Sequence, residues 1–260
     1  MINRYVLGLA FLCAASPAAA QLEAPGQIHG VWDRGPTAGT PFRMPASGAG
    51  PVQRLGPATD EDGAPQGDWR APILKPWAAE AVKRRVENVE GAFQAEPKES
   101  CSPMGVPHIM QLNGPISVLL GKDVSLILYM RAMQTRFIHM NARHPADLKP
   151  SYHGHSVGHW DGDTLVVDTI GFNDKTPVDM FGTPHTDQLH VVERYHVTNG
   201  GKTLRVDFTV EDPGAFNSAW SSFAEYGAPR EPYGELVCME NNRLPNGDLV
   251  PGPRDDTPDF

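Results

Sequence analysis

Cysteine, basic charge and long apolar runs are all scarce in these 260 residues. Beyond residue 20 no stretch stays apolar for the roughly 20 residues that a membrane-spanning helix needs, so no membrane span is expected. Lysine and arginine number 22 against 31 aspartate and glutamate residues. That balance argues against nucleic acid and anionic membrane surfaces as partners. There is no dinucleotide-binding glycine fingerprint, phosphate loop, haem motif or active thiol pair. No cofactor and no resident metal are therefore expected, and redox chemistry fits poorly. No helix of crossover length separates the strand-like runs of the second half, which disfavours a parallel α/β sheet.

The first twenty residues have the form of a secretory signal. Asn3 and Arg4 give a polar, positive start, Tyr5–Ala15 is apolar, and Ala18-Ala19-Ala20 precedes Gln21 as a small-residue cleavage site. Export to a bacterial periplasm or the medium is the expectation. Cleavage would remove Cys13 and leave Cys101 and Cys238. A pair in an oxidising compartment suggests one disulfide; two buried thiols are the alternative. Residues 21–72 are rich in Pro, Gly, Ala and Ser without sustained periodicity. They read as a flexible leader, with Trp32 and Phe42 as candidates to dock on the domain. A helix is expected over Pro76–Gly91, with Trp77, Ala81, Val82 and Val86 at helical spacing.

After Cys101 the pattern turns β-rich. Candidate strands are His108–Leu112, Ile116–Leu120, Val124–Arg131, Thr135–Met140, Gly154–Trp160, Asp163–Thr169, Leu189–Val197, Thr203–Glu211 and Tyr233–Glu240. Leu204, Val206, Phe208 and Val210 alternate with Arg205, Asp207, Thr209 and Glu211. One buried and one wet face is antiparallel behaviour. The expected fold is mainly β: an antiparallel up-and-down, lipocalin-like barrel over residues 73–245, with one N-terminal helix, a disordered leader and a flexible tail from 246 to 260. Residues 171–187 and 212–232 read as long loops.

The stretch 151–172 organises the rest. Asp161-Gly162 lies between two extended runs, a strong hairpin signal. Taken as a two-residue loop, it pairs Trp160 with Asp163, Val157 with Val166 and His155 with Asp168. One face then carries His155, Val157, His159, Thr164, Val166 and Asp168. Ser156, Gly158, Trp160, Leu165 and Val167 fall on the other. The segment Gly154–Phe172 resembles a family of uncharacterised secreted bacterial proteins that share a Gly-His-Ser-x-Gly-x-Trp-x-Gly-Asp-Thr-Leu-Val-Val-Asp-Thr core. The resemblance extends over about Cys101 to Asn242 and includes Arg143-His144-Pro145, Val192-Glu193-Arg194 and Cys238-x-Glu240-Asn241-Asn242. It departs at His153, where the family has an aromatic residue, at His159, where it has arginine, and at Asn141-Ala142, where it has Asp-Gly. The resemblance implies no activity.

Two readings stay open at each candidate residue. His155 beside Asp168 is either a satisfied imidazole or a general base whose tautomer the carboxylate fixes. Glu193 shares the apolar face of its strand, so it is either half of a buried ion pair with Arg136 or Arg143, or a general acid. Arg143 and Asn241 are candidate substrate-binding residues, or a loop brace and a strand end. Trp160 is pocket wall or core. His153, His155 and His159 invite a metal, but 155 and 159 lie about 13 Å apart along a strand. The expected function is acid–base processing of a small molecule by hydrolysis, elimination or isomerisation. A lipocalin-like carrier and a structural envelope protein are the alternatives.

Overall fold

The computed structural model describes residues 26–35, 39–56, 66–87, 103–230 and 233–234. The expected signal segment 1–20, Cys101, Cys238, Asn241 and most of the expected strand Tyr233–Glu240 lie outside them.

Among the described residues nine strands form one sheet in chain order: β1 (Gly30–Asp33), β2 (Pro115–Leu119), β3 (Val124–Tyr129), β4 (Gln134–Met140), β5 (His155–Asp161), β6 (Thr164–Ile170), β7 (His190–Thr198), β8 (Thr203–Glu211) and β9 (Trp220–Tyr226). Asp33 and Gly227 exchange both backbone hydrogen bonds, at 3.0 and 2.7 Å. The sheet thereby nearly closes into the expected lipocalin-like barrel, with α1 (Pro76–Glu87), the one α-helix among the described residues, beside it.

One junction is not up-and-down. Strands β4 and β5 run parallel, pairing Ile138 with Ser156, His139 with Val157 and Met140 with Gly158. Parallel neighbours need a crossover, and residues 141–154 supply it across the outside of the sheet. Gly158 suits this junction, because a Cβ there would meet Ile138 Cγ2 at 2.6 Å.

The inside is packed with side chains. Ile127, Tyr129, Ile138, Leu165, Val167, Tyr195, Val206, Phe208 and Tyr226 are all nearly inaccessible. Burying each large apolar side chain contributes about 1.5–3 kcal/mol. Interior positions of a small barrel are filled in this way.

Four expectations change. Part of the presumed leader is built in: Gly30–Asp33 is a barrel strand, Trp32 donates its indole N–H to the Ile28 carbonyl at 3.0 Å, and Phe42 packs edge-on against Phe208 at 4.9 Å. Its low apolar content hid how deeply those few residues insert. His108–Gln111 is a 3₁₀ turn with all four side chains buried, since a short apolar run does not specify strand over helix. Within 212–232 lies β9, whose inward Trp220, Ser222, Ala224 and Tyr226 alternate too weakly in polarity to announce a strand. In α1 the buried pair is Ala78 and Val82, whereas Trp77 is exposed.

The central hairpin keeps its faces but not its partners. Asp161 pairs with Thr164, Val157 with Asp168 and His155 with Ile170. The turn is Gly162-Asp163, and Gly162 alone takes a positive φ, 63°. Glycine at the first central position spares Asp163 the left-handed conformation that the other register would impose on Asp161.

Candidate active site on the outer face

The register decides which candidates can meet. His155 and Asp168 point outward; Val167, the neighbour of Asp168, pairs with Glu193 on the inside. Glu193 is therefore separated from His155 by the sheet itself.

Inside, Glu193 meets Arg136. Arg136 Nη1 donates to Oε1 at 2.8 Å and Nη2 makes a very short bond to Oε2. The remaining donors reach Ser156 Oγ at 3.1 Å and Thr169 Oγ1 at 2.7 Å, and the Tyr195 hydroxyl donates to Glu193 at 2.6 Å. Both charged side chains are at most 1 % exposed. Burial alone would lower the Arg136 pKa; Glu193 overrides it and holds the guanidinium protonated. Burial pushes the nearby Tyr129 phenol up to about 12. His153 lies within the electrostatic reach of Arg136, with its Nδ1 buried and lacking a hydrogen-bond partner among the described residues. Burial and the Arg136 charge hold its pKa down at about 4.

Outside, five strands, β4 to β8, and the crossover build a row of imidazoles and carboxylates. His144, carried by the crossover, has Nε2 at 3.1 Å from Asp168 Oδ1 and Nδ1 at 2.9 Å from His155 Nδ1. His190 approaches the other Asp168 oxygen at 3.2 Å and Glu211 at 3.5 Å. His139 stacks on His155, with centroids 4.7 Å apart and planes 6° from parallel. The row is half-exposed, from 20 % at the His144 side chain to 55 % at Glu211.

Directions in this row follow from hydrogen-bond chemistry. A carboxylate accepts and does not donate, so His144 presents Nε2–H to Asp168. With Nε2–H committed to Asp168, His144 is able to accept at Nδ1, and the His155 Nδ1–H donates to it. His155 Nε2 is left as a bare lone pair with no partner among the described residues. Burial first, then His139 and His144, lower the His155 pKa. A neutral imidazole with a free nitrogen can take a proton at neutral pH.

The other candidates fall elsewhere. Arg143 is exposed in the crossover, one residue from His144. Trp160 is half-buried against the core. His153 and His159 share no site with His155: one lies by Arg136 and the other is exposed. Among the described residues no group of three or more His, Cys, Asp or Glu is arranged to hold a metal, and no helix is long and apolar enough to cross a membrane. Sequence parity could not find His144, His139 or His190 as one group, because the first comes from a loop and the others from strands whose neighbours were unknown. The Arg143-His144-Pro145 motif was the one available pointer.

No family model, curated protein or solved structure matches this chain.

Proposed function

We propose that this protein is exported and processes a small molecule by acid–base chemistry at the outer-face histidine row. His155 is the base, His144 transmits the orienting hydrogen bond, and Asp168 anchors it. The observation that carries this reading is the unbroken chain from Asp168 through His144 to His155, ending in an unpartnered nitrogen. As His155 takes a proton at Nε2, its Nδ1–H bond to His144 strengthens and the carboxylate stabilises the developing charge. Hydrolysis, elimination and isomerisation each need that step. Arg143, exposed beside His144, is placed to hold an anionic or carbonyl group of the substrate. Glu193 has no part in the chemistry; Arg136 occupies it.

The test is to incubate the mature protein with a pooled small-molecule extract and follow depletion by mass spectrometry, beside His155→Gln. The wild type should consume at least one metabolite, and the variant should do so about 10²–10⁴-fold more slowly. The wild-type rate should fall with pH only below the usual histidine range, because the His155 pKa is depressed. Equal depletion by both proteins, or none by either, counts against the proposal.

A further inference from the structure

Beyond the histidine row, the same outer face holds a groove of about 320 Å³ over β7, β8 and β9. Its floor is Val192 and the hydroxyl pair Thr209–Ser221; Phe223 and Arg205 form one side, Arg194 another. We propose that this groove is a binding site for a small organic carboxylate with a flat apolar body, separate from the proton-transfer row.

Three features carry the assignment. The lining holds two guanidinium groups, Arg194 and Arg205, and one carboxylate, Asp207; Arg205 is matched by Asp207 and Glu225, so Arg194, engaged by Asp161 through one nitrogen only, is the group open to an anion. Arg194 donates to Asp161 through Nη2 at 2.7 Å, which leaves its Nε–H and Nη1 hydrogens for a ligand. Arg205 lies over the Phe223 ring, 3.9 Å from Cζ to centroid, and is held there by Asp207 at 2.8 Å and Glu225 at 3.3 Å. A guanidinium fixed on an aromatic face is pre-organised for planar anions. The Thr209 and Ser221 oxygens are 3.0 Å apart. One hydroxyl hydrogen serves that bond, and the other is available to a ligand.

The wall is pre-built as well. The loop bearing Pro45 and Ala46 is fastened to β9 at both ends: the Ser222 hydroxyl donates to the Arg43 carbonyl at 2.7 Å, and the Ser221 N–H donates to the Ala49 carbonyl at 3.0 Å. A ligand entering the groove therefore has little protein to order. Its ring would lie on Val192 and Phe223, with its carboxylate between Arg194 and the hydroxyl pair.

The probes are benzoate and 2-naphthoate, titrated calorimetrically into the full mature chain at low salt. At least one should bind saturably. The neutral analogues benzyl alcohol and 2-naphthylmethanol should bind about tenfold more weakly, as should the carboxylate to Arg194→Gln, since a charge-assisted hydrogen bond of this kind is worth about one decade in affinity. Arg194 is chosen because it is exposed and its loss should not unfold the barrel; a melt of the variant verifies this. No saturable binding by either carboxylate, equal binding of the neutral analogues, or an unchanged constant in Arg194→Gln overturns the assignment. His155→Gln should bind the probes as the wild type does, so this site and the proposed chemistry stand or fall separately.

Discussion

The two faces of strands β4 to β7 carry polar clusters made from similar materials and arranged to opposite ends. The inner one joins Arg136, Glu193, Tyr195, Ser156 and Thr169, and every Arg136 nitrogen is spoken for. The outer one joins His155, His144, Asp168, His190 and Glu211, and ends in an open imidazole nitrogen. Inside, low dielectric makes any unpaired member costly, so the cluster is complete and inert. Outside, water supplies missing partners, so an incomplete chain is tolerated and remains free to exchange protons. A buried ionisable group in a strand of this kind is first a packing element, while the half-wet one beside it has the freedom that chemistry needs.

That contrast can be broken by substitution. The largest effect is expected at Glu193→Gln, which strands the Arg136 charge in the interior. It should cost about 3 kcal/mol or more in denaturant unfolding. Replacing the pair together, as Arg136→Met with Glu193→Leu, should recover most of that loss. A Glu193→Gln protein as stable as the wild type would erase the distinction between the faces.

The next effect is a pH dependence. The folded pKa of His153, about 4, lies below its ordinary 6.5. Between those values the unfolded chain binds the extra proton, so stability is lost as pH falls through that window and is fully retained above it. The loss should be on the order of 2 kcal/mol after allowance for the ring's partial exposure. His153→Phe should remove this share of the acid slope in melts between about pH 7 and pH 4. An unchanged slope would take His153 out of the inner cluster's reach.

On the outer face, Asp168→Asn should change stability by less than about 1 kcal/mol, because its partners stay hydrated. A loss near that of Glu193→Gln would make the outer row architectural too. The smallest effect is expected at His144→Gln. It removes one of the causes that depress the His155 pKa, so the His155 titration followed by NMR should move part of the way up towards the ordinary histidine value. A downward shift would mean that the His155 Nδ1–H bond to His144, which favours the protonated ring, outweighs the charge repulsion between the two imidazoles.

Much of this was legible in the sequence because strand parity is robust. The alternation around Glu193 placed it inside, and it named Arg136 as one of two possible partners. The face shared by His155 and Asp168 also held, although Gly162 moved the turn by one residue and each pairing by two. Direct opposition was thereby lost, and His144 fills the gap. It was not legible because parity describes strands, and His144 arrives on a crossover that exists only because β4 and β5 run parallel. Strand β9 escaped for a different reason. Its inward face holds two serine- or alanine-sized residues between Trp220 and Tyr226, so its hydrophobic signal is dilute.

The seam between Asp33 and Gly227 has a consequence for how the chain comes to be folded. The first strand to be synthesised has both of its partners later in the chain: β2 after α1, and β9 near the far end. Closing the barrel therefore waits on one of the longest loops the chain can form, and such non-local pairings slow folding. Until Gly227 is in place, one edge of β1 offers unpaired backbone groups. An unfinished edge of that kind is where a growing or newly delivered chain is open to pairing with another copy of itself.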